Sequence, residues 1–376
     1  MECEPLYTWS GEKVQWSHHR EPCTWNGELT NAQQIAADRI VQAVTTNESE
    51  LLVWAVCGAG KTEMLFQGIS EALRQGKRIC ITTPRADVVR ELLPRIQQAF
   101  ANVSVQGLYG GSENKEGTAQ IMITTSHQLL RFKQAFDMVI IDEVDAFPFH
   151  KDPSLPFATQ RAKKEIHTTI YLTATPRPHH RLQIAIKKLA HVFVPVRYHG
   201  NPLPVPIFKM CFSLQKDLTH VKLPRNVWKW ITNRKNPSRQ LLIFVPTIKM
   251  AEKMKENLTE IFIMRGLLKK QDEMDFVHSE DSEREEKVTL FRQRKMKVLI
   301  TTTILERGVT FPSVDVVVLD AGNKVFDEAA LVQIAGRAGR SADDPTGEVV
   351  FFHDGKTDAM VQAVQAIKKM NRLGGF

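Results

Sequence analysis

The residues with the clearest chemistry are Lys61 and Thr62, which end a turn of small residues. The apolar run 51–54 predicts a buried strand before the turn, and residues 63–73 predict a helix after it. Backbone N–H groups and a helix dipole at such a turn favour an anion; the lysine can reach the β- and γ-phosphates and the threonine can bind Mg²⁺. We therefore predict an ATP and Mg²⁺ site, with Ala55 where such loops usually carry glycine. The predicted phosphate loop comprises Gly58, Ala59, Gly60, Lys61 and Thr62.

Two adjacent carboxylates, Asp142 and Glu143, follow a buried strand predicted over residues 138–141. A carboxylate at a strand end can hold Mg²⁺ directly or through water, and its neighbour can orient and deprotonate the attacking water. An acidic turn after a strand is commonplace, so this prediction depends on its pairing with the phosphate loop. Asp142 is thus a candidate metal ligand and Glu143 a candidate general base.

Two guanidinium groups, Arg337 and Arg340, lie three residues apart in the second half, among glycines that permit close approach. Guanidinium groups bind phosphate oxygens in bidentate fashion. One could bind the γ-phosphate while the other acts as an arginine finger, which typically contributes about 10³–10⁵ in rate. The alternative is a basic turn on the surface.

The first 28 residues show no clear periodicity. Zinc could in principle be bound by two cysteines and two histidines, but the histidines are adjacent and no C-x-x-C pair is present, so we predict no zinc site. We expect the tryptophans of this segment to pack on the first domain. The residues concerned are Cys3, His18, His19 and Cys23, with Trp9, Trp16 and Trp25. Just after this segment, the amide of Gln33 could read an adenine edge or simply lie on the surface.

Predicted strands alternate with predicted helices in both halves of the chain, which indicates parallel sheets covered by helices. The polar clusters fall at the carboxyl ends of the strands, where such sheets bind ligands. A proline-rich stretch from Pro195 to Pro206 separates the halves. We predict an N-terminal extension over residues 1–28, a first domain over 29–197, a linker over 198–210 and a second domain over 211–376.

The composition fits a globular protein that binds a polyanion. The 376 residues are 43% hydrophobic and 24% charged, with a net charge of +8 and a pI near 9.2. From residue 201 onward, 28 Lys and Arg face 22 Asp and Glu, so the second half is the more basic. Nucleic acid is a reasonable partner, and a mildly basic enzyme is the alternative. Five scattered cysteines favour a reducing cytosol, and no run approaches a membrane span.

These residues, together with others in the same order, resemble the core of superfamily-2 helicases, which has two tandem RecA-like domains. Alanine at position 55 is normal in that superfamily. The matching motifs are Leu29-Thr30-x-x-Gln33, Ala55-x-x-Gly58-x-Gly60-Lys61-Thr62, Thr83-Pro84-Arg85, Gly110-Gly111, Thr124-Thr125, Asp142-Glu143-x-Asp145, Thr173-Ala174-Thr175, Phe244-x-Pro246-Thr247, Thr302-x-x-x-x-Arg307-Gly308 and Gln333-x-x-Gly336-Arg337-x-Gly339-Arg340.

The resemblance implies a role for each matching position. Gln33 would read adenine, and Lys61, Thr62, Asp142 and Glu143 would run ATP hydrolysis. The ATP site would be completed from the second domain by Gly308, Arg337 and Arg340. Thr173 and Thr175 would couple it to nucleic acid. The phosphates of one strand would contact Arg85, Gly111, Thr125, Thr247 and Thr302, which would make binding largely independent of sequence and sensitive to salt.

Within the superfamily the chain is most similar to the ComFA family of late-competence ATPases. The motifs that carry this similarity are Val53-x-Ala55-x-Cys57-Gly58-Ala59-Gly60-Lys61-Thr62-Glu63, Asp142-Glu143-Val144-Asp145-Ala146-Phe147-Pro148, Val277-His278-Ser279 ahead of Phe291-Arg292, and Glu306-Arg307-Gly308-Val309-Thr310-Phe311-Pro312. Members commonly carry a four-cysteine zinc module before the core, which these residues lack. Many DEAD-box RNA helicases have an acidic residue where this chain has threonines at 303 and 310, which argues against a DEAD-box RNA helicase.

The similarity implies an ATPase stimulated by single-stranded DNA that moves transforming DNA inward during natural competence. The implied partners are ComFC, DprA and the membrane channel ComEC. The protein would then be cytoplasmic, or peripheral at the inner face of the membrane. Two alternatives remain open: a PriA-like replication-restart helicase, whose relatives are longer and carry cysteine clusters, and an ATP-gated nucleic-acid-binding module with little turnover.

Overall fold

The computed structural model describes residue 11 and residues 14–112, 116–149, 151–220, 222–306 and 309–376. The chain forms two compact units, which meet in sequence between Tyr198 and His199. Each unit is a parallel sheet with helices, as the alternating pattern predicts. Among the described residues, no helix is long and apolar enough to cross a membrane.

The first unit has a seven-stranded sheet, in the order β3-β4-β2-β5-β6-β1-β7, among the described residues. Every neighbouring pair is parallel. Its strands are β1 (Glu50–Ala55), β2 (Ile79–Thr83), β3 (Val105–Leu108), β4 (Ile121–Thr125), β5 (Phe136–Asp142), β6 (Lys163–Thr173) and β7 (Ala190–Val194). Its helices are α1 (Asn31–Thr45), α2 (Lys61–Arg74), α3 (Ala86–Ala99), α4 (Ser154–Ala162) and α5 (Pro178–Ala185), with a 3-10 helix at Ser126–Arg131.

The central strands are buried on both faces because helices cover both sides, so they are nearly continuous apolar runs. In β1 and β2 every residue from Leu51 to Ala55 and from Ile79 to Thr83 is buried. Parallel pairing brings the carboxyl ends of all strands to one edge of the sheet. That edge carries the phosphate loop after β1 and the acidic turn after β5.

The second unit has a six-stranded parallel sheet in the order β10-β11-β9-β12-β13-β8, again among the described residues. Its strands are β8 (Ile207–Met210), β9 (Gln240–Phe244), β10 (Met274–Val277), β11 (Val298–Thr301), β12 (Val314–Val318) and β13 (Val349–His353). Its helices are α6 (Leu214–Thr219), α7 (Arg225–Thr232), α8 (Ile248–Met264), α9 (Arg284–Arg292), α10 (Glu328–Ala335) and α11 (Asp358–Leu373), with 3-10 helices at Gln271–Glu273 and Thr303–Glu306.

One part of the predicted linker has regular structure. Strand β8 pairs with β13, so residues 207–210 belong to the second sheet and the linker prediction was too long at that end. Three prolines at 202, 204 and 206 hide this strand in the sequence. Proline lacks the N–H that a ladder needs, which is tolerated next to an edge strand of four residues.

The N-terminal segment lies on the first unit, which confirms the predicted packing for two of its tryptophans. Trp16 stacks on the Arg78 guanidinium at 4.6 Å from the ring centroid, and Trp25 packs edge-on against Phe66 at 5.4 Å. His18 Nδ1 donates to the Arg74 carbonyl at the end of α2. Cys3 and Trp9 lie outside the described residues. Within the described ranges, no group of three or more His, Cys, Asp or Glu side chains could hold a metal.

Candidate nucleotide site and nucleic-acid face

The phosphate loop connects β1 to α2 with the geometry that an anion needs. Gly58 and Gly60 have φ of +81° and +71°, a region that side chains with a Cβ rarely adopt. Helix α2 begins at Lys61, two residues earlier than predicted, and no side chain caps its N-terminus. Its first N–H groups therefore lack a side-chain cap at the end of the helix that favours negative charge.

The structure brings Lys61, Thr62 and Asp142 together around one small cavity. The remaining lining is apolar and comes from α2, α3 and the central strands. An ammonium group, a hydroxyl and a carboxylate in one cavity suit a nucleotide triphosphate with Mg²⁺, because Mg²⁺ prefers oxygen ligands. The donor set therefore fits ATP and Mg²⁺.

Glu143 has a left-handed backbone, with φ of +57°. Such a conformation is uncommon for a residue with a side chain and occurs disproportionately at functional sites. Its N–H donates to Asp142 Oδ1 at 2.9 Å, and its carbonyl accepts from Ala146 N at 2.8 Å. The turn thus holds both carboxylates in a defined conformation at the strand end.

Asp145 is fully buried and connects this turn to the residues predicted to couple the sites. Thr173 Oγ1 donates to one carboxylate oxygen at 2.6 Å, and Thr175 Oγ1 donates to the other at 2.5 Å. Arg177 Nε donates to the Asp145 carbonyl at 3.1 Å. The end of β1 joins the same network, since Trp54 Nε1 donates to the Ala174 carbonyl at 3.0 Å.

The sequence did not predict the contacts that Asp145, Arg177 and Trp54 make around the acidic turn. Asp145 belongs to the acidic motif, but its threonine partners lie 28 and 30 residues away, and Trp54 lies 120 residues from Ala174. The sequence did carry a signal for the contacts of Asp145. A buried carboxylate needs hydrogen-bond donors, and Thr173 and Thr175 lie at and just after the end of the neighbouring strand.

Gln33 is engaged by the protein rather than open to a base. Its Oε1 accepts from Thr30 N at 2.8 Å and from Thr30 Oγ1 at 3.0 Å. The first of these bonds, with the bond from Gln33 N to Thr30 Oγ1 at 3.4 Å, forms a capping box at the start of α1. Its Nε2 donates to the Ala59 carbonyl at 2.9 Å and to the Gly60 carbonyl at 3.5 Å. In this conformation Gln33 braces the phosphate loop; adenine reading stays a prediction.

The segment after β7 supports the other side of the phosphate loop. Val56 N donates to the Val194 carbonyl at 3.1 Å, and Tyr198 N donates to the Gly58 carbonyl at 3.0 Å. The side chain of Arg197 lies against Gly58, where a Cβ would be 3.6 Å from Arg197 Cγ. These contacts were not predicted, because they join residues about 140 positions apart.

In the second unit, the two predicted arginines donate to backbone carbonyls. Arg337 is fully buried and its Nε donates to the Glu306 carbonyl at 3.1 Å. Arg340 is half-buried, and its Nε donates to the Gly336 carbonyl at 2.9 Å. These bonds fix the base of each guanidinium group. Gly308, the third residue predicted from this unit, lies outside the described residues.

The close approach of Gly347 positions this arginine motif. A Cβ at Gly347 would lie 2.6 Å from the Val314 carbonyl oxygen and 2.8 Å from Ala338 Cβ. Real Cβ atoms essentially never approach so closely, so only glycine lets the chain before β13 pack on Ala338. Nothing in the sequence pattern marked this glycine.

The residues predicted to contact nucleic acid all lie at carboxyl ends of strands in their own unit. Arg85 follows β2 and Thr125 ends β4, its neighbour in the sheet, whereas Gly111 follows β3 with φ of +86°. Thr247 follows β9 and Thr302 follows the adjacent β11. The Thr247 hydroxyl accepts from Met250 N at 3.2 Å as the cap of α8, which leaves its proton for an acceptor.

Comparison with known families matches both halves of the chain. Residues 26–178 match the family of the res subunit of type III restriction enzymes, and residues 222–342 match the helicase conserved C-terminal domain. The chain is similar to the competence protein ComFA of Bacillus subtilis, with 46% identity over 98% of this chain and 77% of the relative. It is also similar to ComFA of Streptococcus pneumoniae, with 40% identity over 94% of this chain and 79% of that relative.

Solved structures share the fold. Dbp5 of S. cerevisiae bound to RNA and ADP BeF3 has a TM-score of 0.65 at 19% identity, covering 91% of this chain and 88% of that one. The helicase Lhr of Mycobacterium smegmatis bound to ssDNA and AMP-PNP has a TM-score of 0.62 at 18% identity, covering 92% and 50%. The predicted fold class, with two tandem RecA-like domains of a superfamily-2 helicase core, is confirmed.

Proposed function

We propose, from the premise that the chain belongs to the ComFA family of competence proteins and to helicase superfamily 2, that it is an ATPase stimulated by single-stranded DNA. The observation that carries the proposal is the cavity shared by Lys61, Thr62 and Asp142. A lysine, a magnesium-binding hydroxyl and a carboxylate around one cavity are the parts that phosphoryl transfer requires.

The first unit would bind ATP and activate water. The phosphate loop and the N-terminus of α2 bind the phosphates, and Lys61 balances their charge. Thr62 and Asp142 would hold Mg²⁺, which supplies charge neutralisation when it is bound. Glu143, next to Asp142, orients the attacking water and takes its proton. Gln33 holds the loop in the shape that receives the phosphates; the alternative role, which the family resemblance implies, is to read adenine.

The second unit would contribute Gly308, Arg337 and Arg340 to the transition state. Guanidinium groups stabilise the charge that spreads over the transferred phosphoryl oxygens. The buried Nε contact of Arg337 aims its side chain for binding, whereas Arg340 would act as the arginine finger. We propose domain boundaries at residues 29–197 and 211–376 for the two catalytic halves, with β8 added to the second.

Single-stranded DNA would bind along the carboxyl edges of the sheets. Hydroxyl, glycine N–H and guanidinium groups hold a phosphate backbone without reading bases. Thr173 and Thr175 would couple this face to the ATP site through Asp145. The DNA contacts would come from Arg85, Gly111, Thr125, Thr247 and Thr302. Affinity should therefore fall steeply with salt.

The cellular role would be uptake of transforming single-stranded DNA. The work of the ATPase cycle would be movement of the strand, in the cytoplasm or at the inner face of the membrane. Its partners would be ComFC, DprA and the channel ComEC. This role goes beyond the ATP site and would be tested by transformation efficiency of strains that carry site variants.

The decisive experiment is the ATPase rate measured side by side with single-stranded DNA, double-stranded DNA and RNA. We expect single-stranded DNA to give the largest increase. Lys61→Ala should abolish hydrolysis, and Glu143→Gln should abolish it while ATP binding persists. The matched controls are Lys235→Ala and Glu165→Gln, which change exposed residues of the same types and should leave the rate unchanged. Normal turnover by Glu143→Gln would refute the assigned base, and no response to any nucleic acid would refute the translocase.

A further inference from the structure

A histidine at the start of the second unit contacts the arginine motif, residues 336–340. His199 is the first residue of that unit, and its Nε2 lies 3.1 Å from the Gly339 carbonyl oxygen. The two residues are 140 positions apart in the chain, and His199 falls in the segment that the sequence predicts as a linker. The proposed function assigns no role to this histidine.

The hydrogen bonds of the imidazole determine which of its nitrogens carries the proton. Asn201 N donates to His199 Nδ1 at 3.3 Å, and Nδ1 must accept because a backbone N–H can only donate. In a neutral imidazole the proton is then on Nε2. The other contact requires the same tautomer, because the Gly339 carbonyl oxygen can only accept. Two independent partners therefore make His199 a hydrogen-bond donor to Gly339.

The turn that contains His199 holds the ring in place. Asn201 Nδ2 donates to the His199 carbonyl at 3.1 Å and also lies 3.1 Å from Nδ1. Between these two residues Gly200 has φ of +79°, a region that favours glycine. These local bonds restrain the imidazole from its own side, independently of the arginine motif.

The acceptor oxygen belongs to the peptide unit that carries Arg340. The carbonyl of Gly339 and the N–H of Arg340 lie in one plane, which also contains Arg340 Cα. Gly339 has φ of +63°, and glycine permits more backbone rotation than any residue with a Cβ. A hydrogen bond to the Gly339 oxygen therefore restricts the orientation of the peptide from which the Arg340 side chain extends.

Arg340 is thus restrained at its main chain and along its side chain. Its Nε donates to the Gly336 carbonyl at 2.9 Å, which fixes the base of the guanidinium group. The bond from His199 to Gly339 restrains the backbone from which this side chain extends. Electrostatic stabilisation of a transition state depends on groups that are already in position before the reaction.

We propose that His199 is a positioning residue, which holds the peptide before Arg340 so that the guanidinium group is oriented for the transition state of ATP hydrolysis. The inference rests on the proposed function, since it concerns the arginine finger of the same reaction. Its place in the chain supports this role. The preceding residue, Tyr198, donates its N–H to the Gly58 carbonyl of the phosphate loop at 3.0 Å. One peptide bond therefore separates a contact of the phosphate loop from a contact of the arginine motif.

The first variant is His199→Phe, which keeps an aromatic ring but removes both nitrogens. We expect kcat for ATP to fall about 2- to 13-fold, the range that one net hydrogen bond implies. The dissociation constant of the non-hydrolysable AMP-PNP should not change, because an arginine finger acts on the transition state. The dissociation constant of ADP with aluminium fluoride, a transition-state analogue, should rise by the same factor as kcat falls.

Two conservative variants separate the two ring nitrogens. The amide nitrogen of His199→Gln can take the place of Nε2 and should restore both kcat and the binding of ADP with aluminium fluoride. The shorter amide of His199→Asn reaches only the place of Nδ1, so this variant should behave like His199→Phe. Urea titration of each variant shows whether a loss of kcat reflects unfolding instead.

Two further measurements complete the design. In the Arg340→Ala background, His199→Phe should cause no additional loss of kcat, because a residue that acts through Arg340 has nothing left to position. The matched control is His220→Phe, which changes an exposed histidine of the same unit whose Nδ1 lies 2.8 Å from the Lys216 carbonyl. It should leave kcat and both dissociation constants unchanged.

Three results would overturn the positioning role: normal turnover by His199→Phe, equal losses in His199→Phe and His199→Gln, or an undiminished loss in the Arg340→Ala background. A loss of AMP-PNP affinity as large as the loss of kcat would overturn it too, because the effect would then not be specific to the transition state. The proposed function fails separately, when the wild-type protein hydrolyses no ATP with or without single-stranded DNA. Hydrolysis that His199→Phe retains in full would keep the function and reject only the inference.

Discussion

Replacement of Gln33 by alanine should weaken the binding of every nucleoside triphosphate, whatever its base. The Gln33 amide oxygen accepts hydrogen bonds from Thr30, and its nitrogen donates to the Ala59 and Gly60 carbonyls. In this conformation, a side chain that is 4% exposed and already bonded this way acts on the phosphate loop, and adenine reading is the competing prediction. The alanine variant therefore loses preorganisation of the loop, a loss that all nucleotides share.

The expected size follows from the geometry. The bond to the Ala59 carbonyl is short at 2.9 Å, whereas the bond to the Gly60 carbonyl at 3.5 Å is too long to contribute much. One net hydrogen bond contributes about 0.5–1.5 kcal/mol, which corresponds to a dissociation constant about 2- to 13-fold higher. Loss of the capping box would lower the free energy of unfolding by about 1 kcal/mol as well.

Isothermal titration with ATP, GTP and inorganic triphosphate separates the two roles of Gln33. We expect the three affinities to fall by the same factor in Gln33→Ala. The control is Thr30→Val, which removes the capping hydroxyl but keeps the Gln33 side chain and its bond to Ala59, so stability should fall while affinity changes less. A loss confined to ATP, with GTP and triphosphate unaffected, would refute the brace and establish adenine reading.

Two further predictions concern stability. Gly347→Ala should lower the free energy of unfolding by about 1–3 kcal/mol, because its Cβ would overlap the Val314 carbonyl oxygen and Ala338 Cβ. Urea titration should show no such change for the control Gly355→Ala, because a Cβ at Gly355 would meet open space. Equal effects of the two variants would contradict the packing argument. Burial, aided by the charge of His179, lowers the pKa of His180 to about 4. Between about pH 6.5 and 4, the unfolded chain therefore binds a proton at His180 that the folded chain does not bind, so stability falls as the pH drops through that window. His180→Gln should remove up to about 3 kcal/mol of that acid dependence in urea titrations at several pH values, and an unchanged slope would contradict it.

The fold was largely predictable because local patterns carry it. The strand predicted over residues 138–141 lies within β5, and the helix predicted over residues 63–73 lies within α2. These elements have strong apolar periodicity and clear ends. The order of strands depends on contacts between distant residues, which no local pattern contains. Strand β8 was missed for a related reason: only pairing with β13 makes that short segment a strand.

The candidate site was predictable where chemistry requires a particular residue type. A phosphate loop needs a lysine and glycines at fixed positions, so the residue types around Lys61 are enough to predict it. The residues that hold the loop and the acidic turn are chosen by shape instead: Arg197 lies against Gly58, and Trp54 donates to Ala174. Several residue types could make such contacts at many positions, so the sequence alone does not identify them.

The acidic turn places residues with three different surroundings within six positions of the chain. Asp142 lines the cavity of the phosphate loop, Asp145 accepts hydrogen bonds from Thr173 and Thr175, and Phe147 is 60% exposed. Thr173 and Thr175 anchor Asp145 at both carboxylate oxygens, two residues after the left-handed Glu143. Because Glu143 has the least common backbone conformation of the turn, we infer that this anchor helps to hold it.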